Sequence, residues 1–136
     1  MSTKPARYAA KTSVPVSRSR DEIERTLSRY GASAFGYGWD EGRAVVSFRA
    51  QNRYIRFAME IPLIAQEERQ RWRALVLVIK AKLEAVESGI TTFENEFLAH
   101  IVLPDNRTVG EWLAPQIDAA YEEGGMPKLL MPGSDE

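Results

Sequence analysis

Cysteine is missing altogether from this 136-residue chain, and histidine occurs once, as His100. The first absence excludes disulfides, thiolate metal sites and thiol nucleophiles, and it removes any reason to invoke an oxidising compartment. The second excludes a histidine-rich metal site or a two-histidine relay. A phosphate-binding loop is lacking too: in the stretch GASAFGYG, residues 31–38, the glycines are wrongly spaced and lead into a strand pattern instead of a helix. Serines are plentiful, but none has the partner pattern of a catalytic nucleophile. The longest apolar run, residues 74–79, is bounded by Arg73 and Lys80 and falls far short of the ~20 apolar residues that span a bilayer. Behind the basic start MSTKPARYAAKTS stands no apolar segment of a signal peptide, so a cytoplasmic location is the expectation. With no catalytic, metal or cofactor pattern left, the chain is expected to be no enzyme and to act by binding.

What is present fits one domain. The chain is 44% hydrophobic and 27% charged, enough for a sizeable core and too short for two ordinary domains. Its net charge of −1 hides an asymmetry. Residues 1–90 carry 16 basic and 10 acidic side chains, residues 91–136 only 2 and 9, which together make the 18 and 19 of the whole chain. Blocks of opposite sign mark either a nucleic-acid face or two surfaces that attract each other within the fold or between subunits.

The longest helical pattern runs over residues 67–89. Trp72, Leu75, Val76, Ile79, Leu83 and Val86 recur at spacings of three and four, the period of one apolar helix face. Leu77 and Val78 widen that stripe, so the middle turns are expected to be enclosed on more than one side. Glu67 and Glu68 suit the first turn, and Gly89 is placed for a left-handed cap. This rod is the element around which the rest is expected to pack.

Ahead of it the period changes to two. Residues 34–39, 44–49 and 54–61 alternate as three strands, joined by turns at Asp40-Glu41-Gly42 and Gln51-Asn52. Ser19 and Glu22 stand at capping-box spacing before a helix over residues 20–30, and Val14 and Val16 suggest a short edge strand at 12–16. Beyond Gly89, capping boxes at Thr91/Glu94 and Thr108/Glu111 open two more helices, the second interrupted by Pro115. Residues 1–11 and 126–136 read as tails around a single α+β domain: a three-stranded antiparallel meander, with a fourth edge strand in prospect, covered by the long helix and followed by two helices.

Functional signals concentrate on the strands. Arg43, Arg49, Arg53 and Arg56, interleaved with Trp39 and Tyr54, combine cations with flat rings, which is what single-stranded nucleic acid requires for phosphate attraction and base stacking. The competing account is that strand arginines guard an exposed edge while the rings belong to the core. Arg69, Arg71 and Arg73 around Trp72 extend the basic character, although alternate residues on a helix point different ways. His100, set beside Phe97, Leu98 and Ile101, reads as structural.

The α-β-β-β-α order resembles that of double-stranded-RNA-binding domains, but Gln66-Glu67-Glu68 stands where those carry a lysine-rich helix start, so the likeness is one of topology. A β-β-β-α core is also similar to that of phage single-strand-annealing proteins. The segments RDEIERTLSRYGASAFGYGW, RYIRFAMEIP, RWRALVLVIKAKLEAVESGITTFENEFLAHIVLPDNRTVGEW and GGMPKLLMPG resemble a group of small proteins encoded by tailed phages and prophages. That resemblance covers most of the chain from about Val14, implies expression in a bacterial cytoplasm, and transfers no catalytic residue. Single-stranded nucleic acid handled in phage replication or recombination is therefore the favoured ligand. The alternative is an oligomeric interaction module, or an inhibitor of a host protein, that docks through the acidic C-terminal third.

Overall fold

The computed structural model describes residues 14–125, and the two expected tails fall almost entirely outside that range. Val14 and Pro15 are irregular, and α1 begins at once, Val16–Arg29, with Pro15 as its N-cap. The part of the expected edge strand that lies among the described residues is therefore absent. Proline has no N–H to lose and its φ is preset for a helix start, so Pro15 opens a helix here where a strand had been expected. The amides of Arg18 and Ser19 both donate to its carbonyl. Ser19 consequently lies inside α1 and is fully buried with Ile23 and Leu27, so no capping box forms with Glu22.

Three strands follow, β1 (Ser33–Asp40), β2 (Arg43–Ala50) and β3 (Arg53–Glu60), paired antiparallel in the order β1-β2-β3. Each connection is a two-residue turn with both residues left-handed: Glu41 and Gly42 at φ 54° and 81°, Gln51 and Asn52 at 53° and 61°. That is the type I′ geometry whose twist matches the strands it joins. The register puts Tyr37, Val46 and Phe57 in one row and Trp39, Ala44 and Met59 in the next, on the face that turns towards the helices.

The long helix α2, Ala65–Glu87, lies over that face. Trp72, Leu75, Val76, Ile79 and Leu83 are buried in one cluster with Val46, Phe48, Ile55 and Phe57 from the sheet and Ile23 and Leu27 from α1. A fully buried Leu or Ile contributes about 1.5–3 kcal/mol relative to exposure, so this seam is the main source of stability. Gly89, at φ 85°, ends the helix as its position implied. The back of α2 departs from expectation, because nothing among the described residues encloses it and Val78 is 44% exposed.

The next expected helix is broken into two short pieces, α3 (Phe93–Glu96) and a 3-10 turn, Leu98–His100. Its cap is Thr92, whose hydroxyl accepts from the Asn95 amide, instead of Thr91. Phe93 and Phe97 stack 4.7 Å apart, and Phe97 meets Phe48 and Phe57 edge-on, closing the core at the β3 side. The chain then bridges Ile101 to Ile55 and Val102 to Thr108, with the Val102 amide donating to the Tyr54 carbonyl at 2.8 Å. This short bridge occupies the β3 edge, where a fourth strand would stand.

Helix α4, Val109–Glu123, opens with the expected capping box of Thr108 and Glu111 and closes at left-handed Gly124. Pro115 lies within it, so the helix runs on through the proline. Its neighbour is the 3-10 turn, and it makes no packed contact with α2, against the expectation that both last helices would pack on the long one.

Candidate nucleic-acid interface

The strand register sorts the expected site residues onto two faces. On the face turned away from the helices, the rows are Asp40-Arg43-Glu60, Gly38-Val45-Ala58, Gly36-Ser47-Arg56 and the pair Arg49-Tyr54. Arg43, Arg49, Arg56 and Tyr54 thus share one surface. Trp39 and Arg53 belong to the opposite face: Trp39 is paired with Ala44 and is 65% exposed, and Arg53 is paired with Ala50 at the strand end. Period two separates them, since a single-residue step in a strand reverses the side chain.

No helix packs on the outer face among the described residues, because the single hydrophobic cluster lies wholly on the other side. The centre of this face is floored by Gly36, Gly38, Ser47, Ala58 and Val45, side chains too small to stand up from the backbone. The spacing of arginines and rings gave no sign of this floor, yet alternation within β1 does place both glycines on the arginine side. A Cβ at Gly38 would meet nothing within 4 Å, so no contact inside the chain demands glycine there.

The cations around the floor differ in freedom. Arg49 lies over the Tyr54 ring, 5.6 Å from its centroid, and Tyr54 is 52% exposed. Arg43 stands between Asp40 and Glu60 in its row without an ion pair. Arg56 is held from the side: its guanidinium donates to the Asn106 carbonyl at 2.7 Å and to Asn106 Oδ1 at 3.2 Å, with Glu111 at 3.6 Å. On the other face, Arg53 donates to Glu94 at 3.1 Å and forms an ion pair with it. Asn106 sits 50 residues beyond Arg56, in a loop where its own φ is 74°, so nothing local in the sequence announced the contact.

Beside Tyr54, an open depression of about 530 Å³ is walled by Leu98, Ile101, Val102, Leu103 and Val109, with Arg53 and Glu94 on its rim. The helical arginines do not extend the interface. Arg69 binds Gln66, Arg71 donates to the Glu60 carbonyl, and Arg73 reaches Glu22 on α1 at 2.6 Å, where Lys80 also binds.

His100 stacks on Phe57 with centroids 4.1 Å apart. Burial is the largest influence on it and pushes its pKa down, the charge of Lys82 adds to this, and a hydrogen bond with the Arg56 backbone opposes both. These are the surroundings of a packed neutral ring. Among the described residues no three acidic or histidine side chains cluster so as to hold a metal ion, and no helix is long and apolar enough to cross a membrane.

Comparison with known proteins gives no match: no family model fits the chain, and neither a curated protein nor a solved structure is similar to it.

Proposed function

We propose that this chain is a non-enzymatic binding protein whose ligand is single-stranded nucleic acid, taken up on the open face of the sheet. One observation carries this reading: Arg43, Arg49, Arg56 and Tyr54 surround a flat, uncovered floor of glycine, serine and alanine. An extended backbone can approach such a floor closely, as strand glycines permit. Guanidinium groups at its margin attract phosphates, and the half-exposed Tyr54 ring offers a platform for a base. The depression beside Tyr54 gives that base an apolar wall. The resemblance to proteins of tailed phages suggests replication or recombination in a bacterial cytoplasm as the setting.

Titration of a labelled single-stranded oligonucleotide by fluorescence anisotropy, across a salt series, tests the reading. Three phosphate contacts on a single strand, at about 0.7 counterion each, give a slope of about −2 in log affinity against log salt. A flat salt response, or no binding at low salt, would remove this function.

A further inference from the structure

Two apolar helix faces are left over once the core is complete. On α2, Ala74, Val78, Ala81 and Ala85 repeat at spacings of four, three and four, with Leu77 beside them, on the side away from the buried Trp72-Ile79 seam. That spacing is the seam of two helices packed side by side, and Val78 is 44% exposed on it. On α4, not one side chain is buried. Ile117 and Tyr121, four residues apart and therefore neighbours on one face, are 47% and 85% exposed.

Charge decides which face meets which. Helix α4 carries Glu111, Asp118, Glu122 and Glu123 and no basic residue. On α2, Arg71 and Arg73 precede the exposed Leu77-Val78 step and Lys80 and Lys82 follow it. Setting α4 against another α4 would oppose acid to acid, and crossing two α2 helices at Val78 would oppose base to base. Setting α4 on α2 brings opposite signs together at both margins of an apolar seam. The contact is not made within one chain, where α4 starts from the Val102-Thr108 bridge and lies against the 3-10 turn. The geometry points to a twofold dimer in which α4 of each copy lies along the exposed stripe of its partner's α2.

The dimensions agree. Fifteen residues of α4 make about 22 Å of helix, which fits within the ~34 Å of the 23-residue α2. Twofold symmetry repeats the contact, so each needs to bury only about 500 Å² to reach the roughly 1,000 Å² of a specific interface. A ring the size of Tyr121 supplies up to about 150–250 Å² of that. The small side chains of Ala74, Ala81 and Ala85 leave hollows for it and for Ile117. This assembly stands or falls independently of what the open face of the sheet binds.

The absence of cysteine makes the test direct. Full-length Val78→Cys and Ile117→Cys variants, mixed under a mild oxidant, should form mainly the mixed disulfide dimer, at least tenfold faster than either homodimer. The double variant should give a cross-linked dimer and no cross-linked monomer. In parallel, Val78→Glu and Tyr121→Glu, both at exposed positions, should lower the dimer fraction in light scattering at least tenfold with unchanged circular dichroism. Predominant Val78→Cys homodimers, predominant Ile117→Cys homodimers, cross-linked monomer, or a wild-type chain that stays monomeric at high concentration would each overturn the proposal.

Discussion

Arg49 and Tyr54 face each other across β2 and β3, with the guanidinium 5.6 Å from the ring centroid on the open side of the sheet. A cation held over a ring at an exposed site is worth about 0.5–1 kcal/mol, so the pair is ordered without being locked. Tyr54→Phe should leave oligonucleotide affinity nearly unchanged, because the stacking ring remains. Tyr54→Ala should cost about 1–3 kcal/mol of binding, the usual range for a stacked base. Arg49→Ala should flatten the salt slope by about 0.7. Equal binding by all three variants in anisotropy titrations would place the ligand elsewhere.

The two glycines of β1 make a contrasting pair. A Cβ at Gly38 has open space, whereas at Gly36 it would come within 3.0 Å of Ser47 Oγ. Gly38→Ala should therefore stabilise the free protein by about 0.5–1 kcal/mol, since glycine in a strand carries an entropic cost, and Gly36→Ala should gain less. If a strand of nucleic acid lies on this floor, Gly38→Ala should also weaken binding severalfold. A Gly38→Ala protein that is more stable and binds as before would show that the floor is not approached.

Glu22 joins α1 to α2 through Arg73 and Lys80, and those two hydrogen bonds hold its carboxyl below the ordinary range. A depressed folded pKa means that the stabilisation is complete above the unfolded value of about 4.3 and is lost as pH falls through the folded one. Glu22→Gln should cost about 1–2 kcal/mol at neutral pH, between the values of exposed and buried pairs. Urea titrations from pH 7 down to pH 3 should show the wild-type advantage shrinking. An advantage constant over that range would mean that the carboxylate charge contributes nothing.

Ser19 is fully buried and its hydroxyl has no hydrogen-bond partner. Ser19→Ala removes an unsatisfied polar atom and installs the best helix former, so a gain of about 1 kcal/mol is expected in chemical denaturation. A loss of stability would show that the hydroxyl is satisfied in solution.

Local pattern accounts for what the sequence made legible. The period-two alternation in β2, the left-handed turn at Gln51-Asn52 and the Trp72-Ile79 face of α2 each follow from neighbours a few residues apart, and all stand as read. The misreadings depended on distant partners. Ser19 has cap chemistry but lies under the core, because Pro15 had already begun the helix. Arg53 and Arg56 read alike in sequence, yet one step of register sends Arg53 to Glu94 and Arg56 to Asn106, 41 and 50 residues away. For the same reason Trp39 separates from Tyr54, and the floor between the arginines came from residues with no chemistry of their own.

The two tight turns of the meander have a consequence in time. Pairing β1 to β2 and β2 to β3 closes no long loop, so little chain entropy is spent before contacts reward it. We expect the hairpins to assemble first, the helices to condense on them afterwards, and α4, anchored at one end, to open most readily in the finished molecule. Amide exchange in monomer at low concentration should grade accordingly, slowest along β2 and fastest beyond Pro115, and slow exchange at that far end would contradict this order.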